Sequence, residues 1–177
     1  MIKIKFYYDK DLCQKWLNEM CDQGWAFESY FFGICTFSEC EPGKYYFQID
    51  LLKSLMDSGG NYKEFMRELK IEPVQQWFRW IFLRKRKTDG AFELYTDDES
   101  LIRHYAQIRN MFKIFILIQV ACLALETMLM LRSETRADQM IILGVIAAIF
   151  FIILMMARQI LRLSTKISKL KGKLDKD

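Results

Sequence analysis

The amino-acid sequence predicts an α+β domain followed by a membrane hairpin. Residues 1–96 are expected to form a cytosolic antiparallel sheet of about five strands with two helices on one face. Residues 97–177 are expected to form a long stalk helix, a two-helix transmembrane hairpin and a basic amphipathic C-terminal helix. Three observations predict this. Two apolar runs, 111–131 and 139–157, are separated only by the charged loop RSETRAD, and each is close to the ~20 residues a helix needs to cross ~30 Å of hydrocarbon. Lys and Arg gather outside the two runs rather than between them, the asymmetry expected of cytoplasmic flanks. Ahead of the runs, short stretches of alternating apolar and polar residues lie between glycine and proline turns, the pattern of strands.

The domain elements follow in order. Ile2–Tyr8 alternates Ile2, Ile4 and Phe6 with Lys3 and Lys5, which predicts a half-buried strand. Asp9 or Asp11 can cap the next helix, where Leu12, Trp16, Leu17 and Met20 recur at helical spacing. Gly24 ends it. Strands are expected around Trp25–Phe37 and Lys44–Leu51, joined through the turn Glu41-Pro42-Gly43. Ser58-Gly59-Gly60-Asn61 breaks the chain before a second helix, Tyr62–Lys70. Strands Trp77–Arg84 and Ala91–Tyr95 are then expected around a turn at Thr88-Asp89-Gly90. The order suggests an internal α-β-β duplication pairing Trp16 with Phe65, Trp25 with Trp77 and Gly43 with Gly90.

Thr96-Asp97-Asp98-Glu99 reads as a capping box with Thr96 at the N-cap. It should start one unbroken helix to Leu131, either a mechanical coupler or a plain anchor. Beyond Ala157, Ile160, Leu163, Ile167, Leu170 and Leu174 step by three and four residues. That seam can pack on the stalk, pair with a second subunit or lie on the membrane surface. Residues 1–110 balance at −1, whereas 158–177 carry +5, so the basic tail should be drawn to a bilayer with anionic head groups. Both termini are expected in the cytoplasm, at the inner membrane. The N-terminus lacks the apolar stretch of a signal peptide.

The strings WLNEMCDQGWAF, FSECEPGKYYFQID and WFRWIFLRK…GAFELYTD resemble the bacterial family catalogued as domain of unknown function 2812, over about residues 1–100. The resemblance implies membrane helices after the domain. It also implies genes beside PadR-type transcriptional regulators, hence regulation or stress response. It implies no catalytic residues. This chain departs from the family pattern at Glu72-Pro73-Val74-Gln75-Gln76-Trp77, where a second Gly-Trp is usual.

Several residues are candidate sites. Gln119, Cys122 and Glu126 share one face of the first apolar helix, an intramembrane polar seam that can bind a ligand, proton or helix. The simpler reading has Glu126 reaching interfacial water, toward Arg132. Gly144 and Ala148 form a small-xxx-small pair suited to helix packing. Arg84, Lys85, Arg86 and Lys87 can contact lipid phosphate, or simply be a solvated strand end. The domain's near-neutral charge argues against direct nucleic-acid binding. The segment 29–34 is more apolar than one covered sheet face needs, so its surplus can face a partner, a lipid or a second subunit.

Cys13, Cys21, Cys35, Cys40 and Cys122 fit no common zinc spacing, and His104 is the single histidine, so neither a metal nor another cofactor is expected. Without a phosphate loop or nucleophile motif, enzymatic chemistry finds little support. The expected function is a membrane-anchored regulatory or binding module that recognises a protein partner, with a PadR-like regulator as the partner the resemblance suggests. The alternative is an oligomeric membrane assembly, a homodimer first, with a transport-related or membrane-protective role.

Overall fold

The computed structural model describes residues 1–6, 9–52, 60–95, 97–133 and 135–175. Tyr8, Ser58, Gly59, Thr96, Glu134 and Lys176, which figure in the expectations above, lie outside the described residues. The chain divides into two compact units, Met1–Leu94 and Tyr95–Asp177.

In the first unit the elements run β1 (Ile2–Ile4), α1 (Lys10–Asp22), β2 (Trp25–Phe31), β3 (Ile34–Glu39), β4 (Tyr45–Leu51), α2 (Gly60–Glu68), β5 (Glu72–Trp77) and β6 (Trp80–Arg86). The fold is α+β, but the single five-stranded sheet is replaced by two three-stranded antiparallel sheets, ordered β1-β3-β2 and β4-β6-β5. Two tight turns account for the difference. The run 25–37 breaks at Phe32-Gly33, where φ is +42° and +85°. A second hairpin breaks at Phe78-Arg79, with Phe78 at φ +58°. Neither carries the Asn-Gly or Asp-Gly signal of such turns. Residues 72–76, where no strand was expected, belong with Trp77 to strand β5; Pro73 is tolerated because β5 is an edge strand with a bulge between Pro73 and Gln75. Residues 91–95 form no strand.

The two sheets are copies of one β-α-β-β plan. Gly24 and Lys70, which follow the helices, both take positive φ, as do Phe32 and Phe78 in the hairpins; each pair is 46 residues apart. The Lys5 amide donates to the Gly33 carbonyl at 2.7 Å, and the Leu52 amide donates to the Arg79 carbonyl at 2.8 Å, the same bond in each copy. This spacing sets Trp16 against Tyr62 and Trp25 against Ile71, so the Trp16–Phe65, Trp25–Trp77 and Gly43–Gly90 pairing is corrected.

α1 begins at Asp9, whose carboxylate accepts from the Asp11 amide at 2.9 Å. Its buried face, Trp16, Leu17, Met20 and Cys21, packs with Phe27 and Phe37 of the first sheet and Phe47, Ile49 and Phe82 of the second. A second cluster joins Met66 of α2 to Leu52, Ile71, Ile81, Leu83 and Phe92. Asn18 closes the outer edge of β4: its Nδ2 donates to the Phe47 carbonyl and its Oδ1 accepts from the Phe47 amide, both at 2.9 Å. A side chain bonded there blocks a further strand. Gln75 likewise joins β5 to β2, accepting from the Tyr30 amide and donating to its carbonyl at 3.0 Å.

The second unit is an antiparallel pair, α3 (Asp98–Arg132) and α4 (Arg136–Leu174), of about 50 and 60 Å at 1.5 Å per residue. Asp97 caps α3, accepting from the Ser100 amide at 2.7 Å. Thr135 caps α4. Both helices are long and apolar enough to cross a membrane, and their apolar stretches are turned outward rather than buried as in a soluble core. The C-terminal seam packs on α3: Leu163 and Ile167 are buried with Ile108 and Met111. Lys173 meets Asp98 at 2.9 Å, and the Lys166 ammonium lies 5.5 Å from the centre of the Tyr105 ring.

Candidate functional site

The first sheet turns its apolar side outward. Register pairs Ile4 with Ile34 and Phe31 with Ile34, and pairs Ile2 and Ser29 with Thr36, so these residues share one face. Ile2 is 67% exposed, Ile4 72% and Phe31 64%. Phe6, Phe32 and Phe78 are exposed as well. The expected burial of Ile2, Ile4 and Phe6 is thus inverted. Lys5 instead takes the covered side, its ammonium 5.0 Å from the Trp16 ring centre.

The duplication shows what such a face ordinarily does. In the second sheet the matching positions are Ile49, Leu51, Trp77, Trp80 and Phe82. There Ile49, Leu51 and Phe82 are buried, and Trp77 and Trp80 pack against the main core. Tyr30 covers this face, stacked on Phe82 at 5.9 Å and edge-on to Trp77 at 5.0 Å. One copy of the face is covered and the other is open. Phe31 and Phe32 stand edge-on at 4.9 Å beside it, and Phe32 reaches Trp77 at 5.7 Å. Sequence reasoning flagged 29–34 but missed Ile2, Ile4 and Phe6, because alternation alone does not say which side of a strand faces inward.

The other candidate residues are placed as follows. Arg84 donates to both oxygens of Glu72 at 2.8 Å and to Glu28 at 3.3 Å, and these carboxylates hold its guanidinium pKa above the usual value. Lys85 donates to the Ala91 carbonyl and Lys87 to Asp22; Arg86 is exposed. Three of these four cations therefore spend donors inside the domain. Gln119, Cys122 and Glu126 do come together, half-buried on the side of α3 that continues His104, Ile108 and Met111 toward α4. Gly144 and Ala148 face the other way: both are exposed, and nothing lies within 4 Å of where a Gly144 Cβ would stand. In that stretch of α4 the half-buried residues are Ile142, Ile146 and Ile149 instead, so the small pair does not bring α4 close to α3. His104 is buried, its Nδ1 2.7 Å from the Tyr95 hydroxyl.

Among the described residues no group of three His, Cys, Asp or Glu side chains is placed to hold a metal ion. Cys13, Cys35 and Cys40 are poor nucleophiles. Burial first, with the nearby Cys35, pushes the Cys13 thiol to about 12, and burial lifts Cys35 and Cys40 to about 11. A thiol with a raised folded pKa stabilises the fold below the unfolded value near 9 and loses that contribution as pH climbs through the folded value. Alkylation of the native chain at pH 8 should therefore leave Cys13 and Cys35 unmodified until denaturant is added, and domain stability should decline from pH 9 upward. Mass-mapped labelling against urea tests both.

A family model described as "Protein of unknown function (DUF2812)" matches residues 9–117. The chain belongs to this family. The match runs from α1 through the rest of the first unit into α3, leaving β1 outside, and it includes the start of the first apolar run. No curated protein and no solved structure matches the chain.

Proposed function

We propose that this chain is a membrane-anchored regulatory binding module, not an enzyme. Its hairpin spans the cytoplasmic membrane with both termini inside, and residues 1–94 recognise a protein partner in the cytosol. The observation that carries the reading is the open apolar face of Ile2, Ile4, Phe31 and Ile34, whose counterpart in the second copy is packed against the core. A face this apolar rarely stays bare on a soluble domain. A PadR-like regulator is the partner of choice, resting on the family resemblance, and direct nucleic-acid contact is not part of the proposal. Tagged chain extracted from membranes should retain such a regulator, and Ile4→Asp/Phe31→Asp should release it while Trp fluorescence stays native. Retention by the double variant would remove this face from the reading.

Orientation needs a suitable reporter, and Cys13 is too unreactive for one. With native cysteines replaced, Ser133→Cys should be labelled by an impermeant reagent in whole cells, and Ser168→Cys, exposed on α4, only after lysis. The reverse result would invert the topology. A second reading, homodimerisation through the hairpin, is favoured by the outward placement of Gly144 and Ala148, which leaves close helix approach open to another copy. Cross-linking of Gly144→Cys in membranes tests it.

A further inference from the structure

The two sheets have four outer strands, β1 and β2 in the first and β4 and β5 in the second. Side chains close three of these edges. Leu52 donates inward to Arg79, so by alternation Phe47, Ile49 and Leu51 turn their amides away from β6. Asn18 accepts from the Phe47 amide at 2.9 Å, Gln14 from the Ile49 amide at 3.2 Å and Asp50 from the Leu51 amide at 2.7 Å. The Gln75 side chain ties β5 to β2 through Tyr30. β1 is the exception. Its Lys5 amide donates to the Gly33 carbonyl and its Met1 carbonyl accepts from the Phe37 amide at 2.8 Å, so Met1, Lys3 and Lys5 bond inward to β3. Ile2 and Ile4 therefore turn their N–H and C=O groups out. Among the described residues no side chain takes the Ile2 or Ile4 amide, and the whole strand is exposed. In the second copy the matching residues are Ile49 and Leu51. Where Asp50 accepts from Leu51, the first copy has Lys3, whose ammonium has no acceptor to offer.

We infer that β1 is a strand-addition site: its open edge takes an extended segment of the protein partner as a further antiparallel strand. The antiparallel sense follows the pairings of both sheets. Partner residues bonded to Ile2 and Ile4 then stand on the open face with Phe31 and Ile34, so they are apolar. The residues between them stand beside Lys3 on the other side of the sheet, where an opposite charge is favoured and a like charge is not. The segment is therefore one that alternates apolar with acidic residues. A second copy of β1 fits poorly. The two-fold register that pairs Ile2 with Ile4 sets Lys3 against Lys3 at the close, non-bonded spacing. Lys3 thereby discourages self-pairing, as lysines on edge strands do. In strand addition the backbone bonds supply affinity and the alternate side chains supply selectivity. This rests on the proposal that residues 1–94 recognise a protein, and adds how that partner is held and what sequence it presents.

The test uses the full chain in phosphatidylcholine nanodiscs and a short fluorescent peptide of alternating valine and glutamate, read by anisotropy. Wild type should bind this peptide and bind a valine–lysine peptide more weakly. N-methylation of the valine amides, which point at β1, should weaken binding at least about tenfold, because backbone bonds are lost. N-methylation of the glutamate amides, which point away, should not. Ile4→Pro removes one outward donor while the inward bonds of Lys3 and Lys5 stay, and should weaken binding where Ile4→Val does not. No binding, or equal binding of the two methylated peptides, would overturn strand addition whether or not Ile4→Pro folds. Binding in detergent micelles but not in nanodiscs would give the face to the lipid surface, and dimers of the chain dispersed by Ile4→Pro would give the edge to a second copy; either result overturns the proposal. A regulator still retained by Ile4→Asp/Phe31→Asp, with the peptide results as expected, would instead strike the regulator reading and leave the edge site standing.

Discussion

Phe27→Ala should lower the stability of the first unit by about 3–5 kcal/mol, the usual cost of removing a buried aromatic ring. Phe27 is fully buried and belongs to the first sheet. Its ring lies 4.8 Å from Phe82 and 6.2 Å from Phe47 in the second sheet, and 6.0 Å from Phe37 in its own. It therefore ties the duplicated halves together. Against a total stability of about 5–15 kcal/mol, such a loss would leave the domain partly unfolded at modest urea. All four tryptophans, Trp16, Trp25, Trp77 and Trp80, lie in this unit, so their fluorescence reports it without interference from the hairpin. A loss below about 1 kcal/mol would mean that the two sheets do not share a core.

Gly33→Val should cost about 1–3 kcal/mol and disturb the open face at the same time. The first effect is backbone strain, because φ is +85° and a β-branched side chain is poorly tolerated there. The second is a collision: a Cβ on Gly33 would stand 2.4 Å from the Phe6 ring. That ring is exposed and can swing away, so the collision adds little energy but displaces Phe6 from the surface offered to the partner. Gly33→Ala at the same position should show a milder loss. Urea unfolding and partner retention measured on the same samples separate the two effects. Unchanged stability for Gly33→Val would contradict the hairpin at Phe32-Gly33.

Much of this architecture was legible in the sequence, and the exceptions have specific causes. α1 was legible because Trp16, Leu17 and Met20 mark one helical face between Asp9 and Gly24. α3 and α4 were legible because their lengths, apolar composition and charge flanks are local properties. The two hairpin turns were not legible, because Phe32 and Phe78 adopt a backbone region that their side chains disfavour, and only the surrounding sheet makes them do so. One strand was read in place of two at 25–37 for that reason, and β5 was missed. The candidate sites divide in the same way. Helical periodicity placed Gln119, Cys122 and Glu126 on one face, but which side of α4 would meet α3 was beyond it, and Gly144 and Ala148 proved to be on the other side.

The sequence by itself determined that this protein has an α+β domain and two helices of membrane-crossing length and character, because composition, period and capping act over a few residues. Tertiary structure alone decided that the domain is two copies of one β-α-β-β unit and that Ile2, Ile4 and Phe31 lie open while Ile49, Leu51 and Phe82 are covered. Each of these depends on which of two chemically similar faces meets a distant part of the chain. A pattern along the chain defines both faces equally, and only packing chooses between them.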